Sequence, residues 1–371
     1  MRFLAQLIVF FVLIGAFVGT AAENSTESSS IVIGLLLPPE EAAAVSLRQG
    51  VLLGVELANE AAGARASVVI RGREGQWGAD AVEVARMVTE DGVRGLIAPA
   101  GGAPSHLTLQ VAGRTAVPVV SLCPDSSVTG AGIPWMVRLA PRTRDEVQVI
   151  FAGLPNRERV TRWAALVPEG RAGRETAHDL EATARASGCS LAKPVEVGSH
   201  THDFSAAVRR VLEQRPDALL LWLEPKPAAQ LSKELRAAGF TGTLAGPSRL
   251  RSPQFVHEAG SAAEGVVVPA LVLDEESATV ARRFEAVYVA RFNTEPDLTA
   301  TLAYDAATLL INVLRRVGSD SPHRAFPLTN ALAGASGRLS FDREGNRTVR
   351  LELSIFREGR WTPVAVRQSM R

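Results

Sequence analysis

The stretch IVIGLLLPPEEAAAVSLRQGVLLGVELANE, residues 31–60, decides the fold class. Its first seven residues, 31–37, are apolar or glycine at every position, which is typical of a strand that is buried on both faces of a sheet. After the loop at Pro38, Pro39 and Glu40, apolar residues at helical spacing predict a helix over residues 42–62. A buried strand that leads directly into a helix indicates the first half of a βαβ unit.

The same alternation of strand and helix continues in both directions from that unit. Four-residue to five-residue apolar runs predict further strands at 67–70, 95–98 and 117–121, and then at 163–167, 218–222 and 243–246. Helical patterns separate these runs, at 79–90 and 104–115, and then at 174–187, 204–214 and 228–238. Asp203 is placed to cap the helix over 204–214 with its carboxylate. Two successive sets of this kind predict two doubly wound α/β lobes.

The last hundred residues follow a different order. Two long helical patterns, 275–292 and 298–317, come without a strand between them, and two runs typical of antiparallel strands follow at 337–341 and 351–356. We expect the chain to return to one lobe with the helices and to the other with the strands. The length of 371 residues agrees with two lobes, because a single core rarely grows so large.

The charge balance excludes several classes of partner. The chain has 40 basic and 39 acidic residues, a formal net charge of +1, so its composition gives no electrostatic basis for binding nucleic acid or an anionic membrane surface. Hydrophobic residues make up 46% of the chain, as in ordinary globular proteins.

The N-terminus has the layout of a secretory signal peptide. Arg2 precedes an apolar run over residues 4–18, small residues follow at 19–22, and a polar linker occupies 23–30. We therefore predict a signal peptide at 1–22 and an exported, periplasmic protein that is soluble after cleavage; an uncleaved membrane anchor is the alternative. No cysteine follows the apolar run, which argues against a lipid anchor. The two cysteines, Cys123 and Cys189, are interpreted as isolated thiols or as one disulfide.

Motifs of catalysis do not occur in the sequence. There is no Walker loop, no G-x-G-x-x-G, no H-E-x-x-H and no G-x-S-x-G. The segment His200-Thr201-His202-Asp203 has closely spaced metal-ligating side chains but no third ligand at a recognised spacing, so a solvated loop is the competing interpretation. We predict a protein without enzymatic activity, without a cofactor and without a metal.

The segments together resemble the type I periplasmic-binding family, in its Leu/Ile/Val-binding branch of transporter receptors. The similarity runs in order from residue 31 to the C-terminus. It includes the first helix over 50–60, the strand segments 91–97 and 116–121, the aromatic-x-x-Arg segment 135–141, the second-lobe segments 203–205 and 215–218, and the later segments 263–266, 303–306 and 337–345.

That resemblance implies a Venus-flytrap receptor, with two Rossmann-like lobes joined by three crossover strands. We expect residues 31–140 plus 270–335 in lobe 1, and 141–269 plus 336–371 in lobe 2. The ligand is expected at the carboxyl ends of the parallel strands, where helix N-termini point into the interlobe cleft. The closed form of such a receptor delivers its ligand to an ABC-type membrane permease.

The resemblance also implies a set of candidate ligand contacts, and this sequence departs from the family at most of them. In lobe 1, Gly102 stands where the family has a Ser, beside Ala103, and Cys123 and Asp125 lie in the loop that normally presents a small residue and a Thr. An Asp at that position would repel a ligand carboxylate and favour a cation.

The second-lobe contacts are replaced as well. Ala172 stands where the family has an aromatic cover, and Ser248 where it has an acid that pairs with an α-ammonium group. Trp77, Trp222 and Glu224 are candidate replacements at strand ends or βα loops; packing in the core or a place on the solvated rim is the competing interpretation. Because of these departures, a sensor or interaction protein of the same fold is the alternative to a transport receptor.

Overall fold

The computed structural model describes residues 30–38, 41–62, 65–72, 79–155, 157–198, 203–317, 326 and 332–364. The predicted signal peptide and most of the polar linker lie outside these residues, as do Trp77 and the segment from His200 to His202. Among the described residues, no helix has the length and apolarity needed to cross a bilayer.

The first lobe is built on a five-stranded parallel sheet. Its strands are β1 (Ile31–Leu37), β2 (Ala66–Gly72), β3 (Gly95–Ala98), β4 (Val119–Ser121) and β5 (Met136–Arg138). They lie in the order β2-β1-β3-β4-β5, which is a doubly wound order. The helices between them are α1 (Glu41–Ala62), α2 (Ala79–Thr89) and α3 (Gly102–Thr115).

The second lobe is built on an eight-stranded sheet. The chain enters it through α4 (Thr143–Gly153) and continues through the strands β6 (Arg162–Pro168), β7 (Ser190–Leu191), β8 (Val195–Val197), β9 (Ala218–Leu221), β10 (Thr243–Ala245) and β11 (Val267–Leu271). The helices between these strands are α5 (Gly170–Ala186), α6 (Ser205–Glu213), α7 (Pro225–Ala237) and α8 (Pro253–Ala259).

The last part of the chain serves both sheets. Helices α9 (Glu275–Phe292) and α10 (Leu298–Val317) lead to a hairpin of β12 (Leu332–Gly334) and β13 (Gly337–Leu339), and then to β14 (Leu351–Arg357) and β15 (Arg360–Pro363). Strand β14 pairs antiparallel with β11, and β15 with β14, at one edge of the second sheet. The strand predicted at 337–341 therefore does not join that sheet: it forms the hairpin, and Leu339 belongs to the core of the first lobe.

Both sheets are buried on both faces, as their uninterrupted apolar strands require. Along β1, Ile33 and Leu35 face one hydrophobic cluster, and the next residue, Leu36, faces another. Along β9, Leu219 and Leu220 divide in the same way between two clusters of the second lobe. Because successive side chains of a strand point to opposite faces, each sheet has a core on either side.

Helix α10 packs closely against α1 through two glycines. A Cβ on Gly50 would overlap the carbonyl oxygen of Ala300, and one on Gly54 would lie 2.9 Å from both the Cβ of Ala307 and the carbonyl oxygen of Tyr304. Glycines four residues apart lie on the same face of a helix. The missing side chains therefore set the distance between the two helices.

The predicted helix over 204–214 starts at Ser205, so Asp203 precedes the N-cap residue, Phe204. Its carboxylate nevertheless accepts the backbone N–H of Ser205 at 2.9 Å.

Both cysteines are free, Cys123 buried and Cys189 half-buried, which decides between the two interpretations of the thiols.

Three crossings connect the lobes, and they are hydrogen-bonded to one another. After β5 the chain passes to α4, after β11 it returns to α9, and after β13 it passes to β14. The backbone N–H of Arg138, at the first crossing, donates to Gly345 in the third at 2.8 Å. The N–H of Val272, at the second crossing, donates to Arg350 in the third at 3.0 Å.

Candidate ligand-binding cleft

The first-lobe wall of the cleft is the N-terminus of α3. This helix starts at Gly102, after the three-residue loop that follows β3. Its N-cap residue is Gly101, which has no side chain to accept the first N–H groups of the helix. The first N–H groups of a helix have no carbonyl partner within the helix, and they carry a partial positive charge. Gly102 and Ala103 contribute such groups, whereas Pro104 has no N–H. This arrangement is suited to an anion.

Cys123 is a buried residue of the loop after β4. It is 1% exposed, and its backbone N–H donates to the hydroxyl of Ser121 at 3.1 Å. Burial raises the pKa of its thiol to about 12. Ser105, which is also fully buried, donates to the carbonyl of Pro99 at 2.9 Å. The hydroxyl groups of Ser121 and Ser105 thus position the loops that carry Asp125 and Gly102.

Asp125 is the side chain of this loop that reaches toward the cleft. Its Oδ1 accepts the N–H of Ser127 at 2.8 Å and caps a short 3-10 helix, Ser126–Val128. Its Oδ2 lies 3.8 Å from Nε2 of His106, which in turn is 2.9 Å from the hydroxyl of Ser127. A Cβ on Gly102 would be 3.2 Å from that same Oδ2. The structure therefore brings Gly102 and Asp125 together.

The second-lobe wall facing Asp125 is the start of α5. The helix begins at Gly170, four residues earlier than predicted, so Ala172 lies exposed in its first turn. Arg171 and Glu175, four residues apart, form an ion pair with Nε and Oε1 separated by 2.6 Å. Glu175 also approaches Asp125 of the first lobe: a Cβ on Gly102 would lie 3.2 Å from Oδ2 of Asp125 and 3.9 Å from Oε2 of Glu175.

This contact shifts the pKa values of the two acids in opposite directions. Burial raises the pKa of Glu175, and its contact with Asp125 raises that pKa further, against the opposing effect of Arg171. Burial would also raise the pKa of Asp125, but its interactions with Glu175 and with Ser127 outweigh burial and lower the pKa.

A second group of predicted residues lies at the ends of β9 and β10. Ser248 starts a 3-10 helix after β10 and is 7% exposed. Its backbone N–H donates to Oε1 of Glu146 at 3.0 Å. Glu146 extends from the first turn of α4 and is 3% exposed. The acid that the family pattern places at position 248 is thus absent from the loop, but a carboxyl group reaches the same location from another element.

The two candidate replacements in this region occupy different environments. Trp222 is 2% exposed and belongs to a hydrophobic cluster of the second lobe, a placement that favours packing over ligand contact. Glu224 is exposed at the N-cap position of α7, and its Oε1 lies 3.1 Å from Nε of Arg249. Its placement agrees with a position on the solvated rim. Glu146, Arg171 and Glu175 have no counterpart among the predicted contacts.

A groove of about 270 Å³ lies at the crossings rather than between the strand ends. Three of its charged side chains are hydrogen-bonded: Arg142 donates to both oxygens of Asp145, at 2.7 and 2.9 Å, and Arg347 donates to the carbonyl of Ser336 at 3.0 Å. We therefore assign the groove to the hinge. The part of the chain that the structure describes has no cluster of three metal-ligating side chains.

The comparisons with known proteins agree with this architecture. A sequence model of the family described as "Periplasmic binding protein" matches residues 30–350, so the chain belongs to that family. No curated protein matches the sequence.

Solved structures from several bacteria have the same fold. A leucine-binding protein from Thermotoga maritima is 22% identical over 90% of this chain and 98% of its own, with a TM-score of 0.78. A branched-chain amino acid substrate-binding protein from Streptococcus pneumoniae, in complex with isoleucine, is 19% identical over 90% and 97%, at 0.78. A solute-binding protein from R. palustris, in complex with benzoate, is 17% identical over 91% and 96%, also at 0.78. At these identities the likeness shows the two-lobed fold of the Venus-flytrap receptors.

Proposed function

We propose that the protein is an exported solute-binding protein that captures a small polar ligand, an amino acid or a related compound, and delivers it to an ABC-type permease. The observation that carries the proposal is the position of Asp125 and the α3 N-terminus opposite α5 of the other lobe. Both lie at the carboxyl ends of parallel strands, where open α/β sheets bind ligands. Capture there requires no chemistry on the ligand, which agrees with the absence of catalytic motifs from the sequence.

The choice of ligands to test follows from the two walls of the cleft. The α3 N-terminus favours a carboxylate, and isoleucine and benzoate, bound by two of the similar proteins, both have one. Asp125 and Glu146 favour a group that donates hydrogen bonds, such as an ammonium or an amide. Because the family residues at 102, 172 and 248 are replaced, we do not assign a branched-chain amino acid.

A thermal-shift screen of the purified protein tests the proposal. The panel contains amino acids, amides, ureas and aromatic acids, because a ligand that binds only the native state raises the melting temperature by mass action. A shift with at least one compound is expected. Gly102→Val, which places methyl groups between the walls, should abolish that shift, whereas Gly113→Ala at the other end of α3 should retain it. No shift with any compound of the panel would overturn the proposal.

The replacement of the family residues at 102, 172 and 248 supports a second candidate, a sensor or interaction protein of the same fold that does not serve a transporter. Such a protein would present its closed surface to a partner in signalling rather than to a permease. The neighbouring genes discriminate the two. A permease and two ATPases support transport, whereas a kinase or an oxidoreductase operon supports sensing.

A further inference from the structure

A buried network joins α10 of the first lobe to the third crossing. Asp305 of α10 is 1% exposed, and it accepts the backbone N–H groups of Ala335 at 2.7 Å and of Ser336 at 2.9 Å. It also accepts the hydroxyl of Ser336, and that hydroxyl accepts in turn from Nη1 of Arg347 at 2.7 Å. The hydroxyl therefore connects a buried carboxyl group to a buried guanidinium group, and it uses both its donor and its acceptor capacity.

The other hydrogen bonds that Arg347 donates within the described chain also end in the first lobe. Its guanidinium group donates to the carbonyl oxygens of Ser336 at 3.0 Å and of Arg338 at 3.2 Å, both in the β12–β13 hairpin. Its backbone N–H donates to the carbonyl of Arg138 in β5 at 3.1 Å. Because a buried guanidinium group cannot recover these bonds from water, it is costly to displace. The third crossing is therefore held to the first lobe as far as Arg347.

These bonds to the first lobe end just before the third crossing enters the second lobe. The N–H of Thr348 donates to Ser340, directly after the hairpin, at 2.8 Å, whereas pairing with β11 begins at Leu351. Between them, the N–H groups of Val349 and Arg350 donate no hydrogen bond to another residue that the structure describes. A hinge residue must change φ and ψ without breaking hydrogen bonds, and these two positions meet that condition.

The first crossing has a segment of the same kind. The N–H of Leu139 donates to Ser121 of β4 at 2.9 Å, and α4 of the second lobe begins at Thr143. Between them, the N–H of Ala140 donates to no other residue in the described ranges, and Pro141 has no N–H.

The second crossing is shorter. Strand β11 ends at Leu271, and Asp274 is already the N-cap residue of α9. The N–H of Val272 donates to Arg350 of the third crossing at 3.0 Å, so these two crossings are joined where they pass between the lobes. The N–H of Leu273 donates to no residue of the described chain, which leaves one position able to change its dihedral angles.

We propose that Asp305, Ser336 and Arg347 clamp the third crossing to the first lobe, so that the lobes rotate about three pivots, at residues 140–141, 273 and 349–350. Residues 336–348 then move with the first lobe, whereas the sequence predicts them in the second. The groove of about 270 Å³ lies along this boundary, with Arg347 and Thr348 on one side and α4 on the other.

Distances between spin labels in the ligand-free protein test this division of the chain. Cys189→Ser removes the half-buried thiol, and Cys123 is buried with a raised pKa, so it is not labelled. One label is placed at Arg343→Cys in the third crossing, and the second at Arg48→Cys in α1 or at Lys233→Cys in α7; all three positions are exposed. Double electron–electron resonance then gives each distance distribution.

We expect a narrow distribution between positions 343 and 48 and a broader one between 343 and 233, because opening moves the third crossing relative to the second lobe alone. Equal widths, or a broader distribution between 343 and 48, would overturn the proposal. This comparison uses the native clamp, so it does not depend on whether a clamp variant folds.

Ser336→Ala tests the clamp itself. It removes the hydroxyl between Asp305 and Arg347, so the distribution between positions 343 and 48 should broaden. Ser340→Ala is the matched control, since the hydroxyl of Ser340 makes no hydrogen bond in the described chain, and it should leave both distributions unchanged. Circular dichroism verifies that each variant is folded. A folded Ser336→Ala protein with an unchanged, narrow distribution would show that the main chain alone holds the crossing, which would overturn the clamp.

Val349→Gly tests a pivot. Glycine has more backbone freedom than valine, so the distribution between positions 343 and 233 should broaden while that between 343 and 48 stays narrow. Broadening of both would place residue 349 inside the clamped segment and contradict the pivot. None of these measurements uses a ligand, so their outcome is independent of the thermal-shift screen.

Discussion

At the scale of the residue, Glu146 shows how a carboxyl group is accommodated in a buried site. Burial raises its pKa, while hydrogen bonds from Ser248 and the charge of Arg249 act in the opposite direction. A polar group in such a place must be hydrogen-bonded, because its desolvation otherwise remains uncompensated. The N–H of Ser248 meets that requirement, and it joins α4 to the loop after β10.

Substitutions at Glu146 should separate the hydrogen bond from the charge. Glu146→Ala leaves the buried N–H of Ser248 without its acceptor, and we expect it to lower the free energy of unfolding by about 1–3 kcal/mol. Glu146→Gln keeps an acceptor but does not titrate. Because the native pKa is raised, the stability that Glu146 contributes is lost as the pH rises above the ordinary range of a glutamate. The free energy of unfolding of the Gln variant should therefore increase relative to that of the native protein toward neutral pH. Urea unfolding at acidic and neutral pH measures both effects, and equal pH profiles would contradict the second.

The two thiols should differ sharply in reactivity. Cys123 is buried with a pKa raised to about 12, whereas Cys189 is half-buried. Only the thiolate is nucleophilic, so a maleimide should modify Cys189 alone in the native protein and both thiols after denaturation. Mass spectrometry of the modified protein locates the label. Rapid modification of Cys123 in the native state would show that the loop after β4 opens on its own.

At the scale of the element, sequence patterns predict those helices and strands whose apolar residues follow one another or recur at a regular spacing. Strands β1, β6 and β9 were predictable because they are apolar on both faces, which leaves a continuous run in the sequence. Helices α4 and α8 were not predicted. Helix α8 has only seven residues, whereas α4 has eleven and buries Val147, Ile150 and Phe151, so its length does not explain the omission. The proximity of Asp125 and Glu175 beside Gly102, and the hydrogen bond between Ser248 and Glu146, join residues far apart in the chain. No periodicity records such contacts.

The glycines of α1 give a test of helix packing. Alanine is a better helix former than glycine by about 1 kcal/mol, so propensity alone predicts that Gly50→Ala stabilises the protein. The added methyl group would overlap the backbone of α10, and we expect a net loss of about 1–3 kcal/mol instead. Gly113→Ala in α3 is the matched control, because its Cβ would lie 3.6 Å from Ile133, an ordinary contact, and it should be neutral or stabilising. Denaturant unfolding distinguishes the two, and a stabilised Gly50→Ala would contradict the close packing.

At the scale of the whole molecule, the three crossings act together because they share hydrogen bonds. The guanidinium group of Arg138 is buried between the first and third crossings, and burial lowers its pKa to about 10. It donates to the carbonyl of Pro124 and to Oδ1 of Asn346, and the hydroxyl of Thr129 donates to the same oxygen. Asp342 in turn accepts from the Asn346 amide at 3.0 Å. The loop that carries Asp125 is therefore connected to the hinge through Pro124.

Loss of this connection should affect both the free energy of unfolding and the local opening of the third crossing. Asn346→Ala leaves a donor of the buried Arg138 without its acceptor, which we expect to cost about 1–3 kcal/mol in the free energy of unfolding. Because the third crossing then loses a side-chain contact to the first, backbone amides of residues 342–347 should exchange hydrogen faster. Arg343→Ala removes an exposed side chain from the same segment and should change neither quantity. Hydrogen exchange and urea unfolding of the two variants measure the effect. If Asn346→Ala exchanged no faster than Arg343→Ala, the crossings would be held together by the backbone pairing of Arg138 with the third crossing alone, and the hinge would be set by main-chain geometry rather than by the buried guanidinium group.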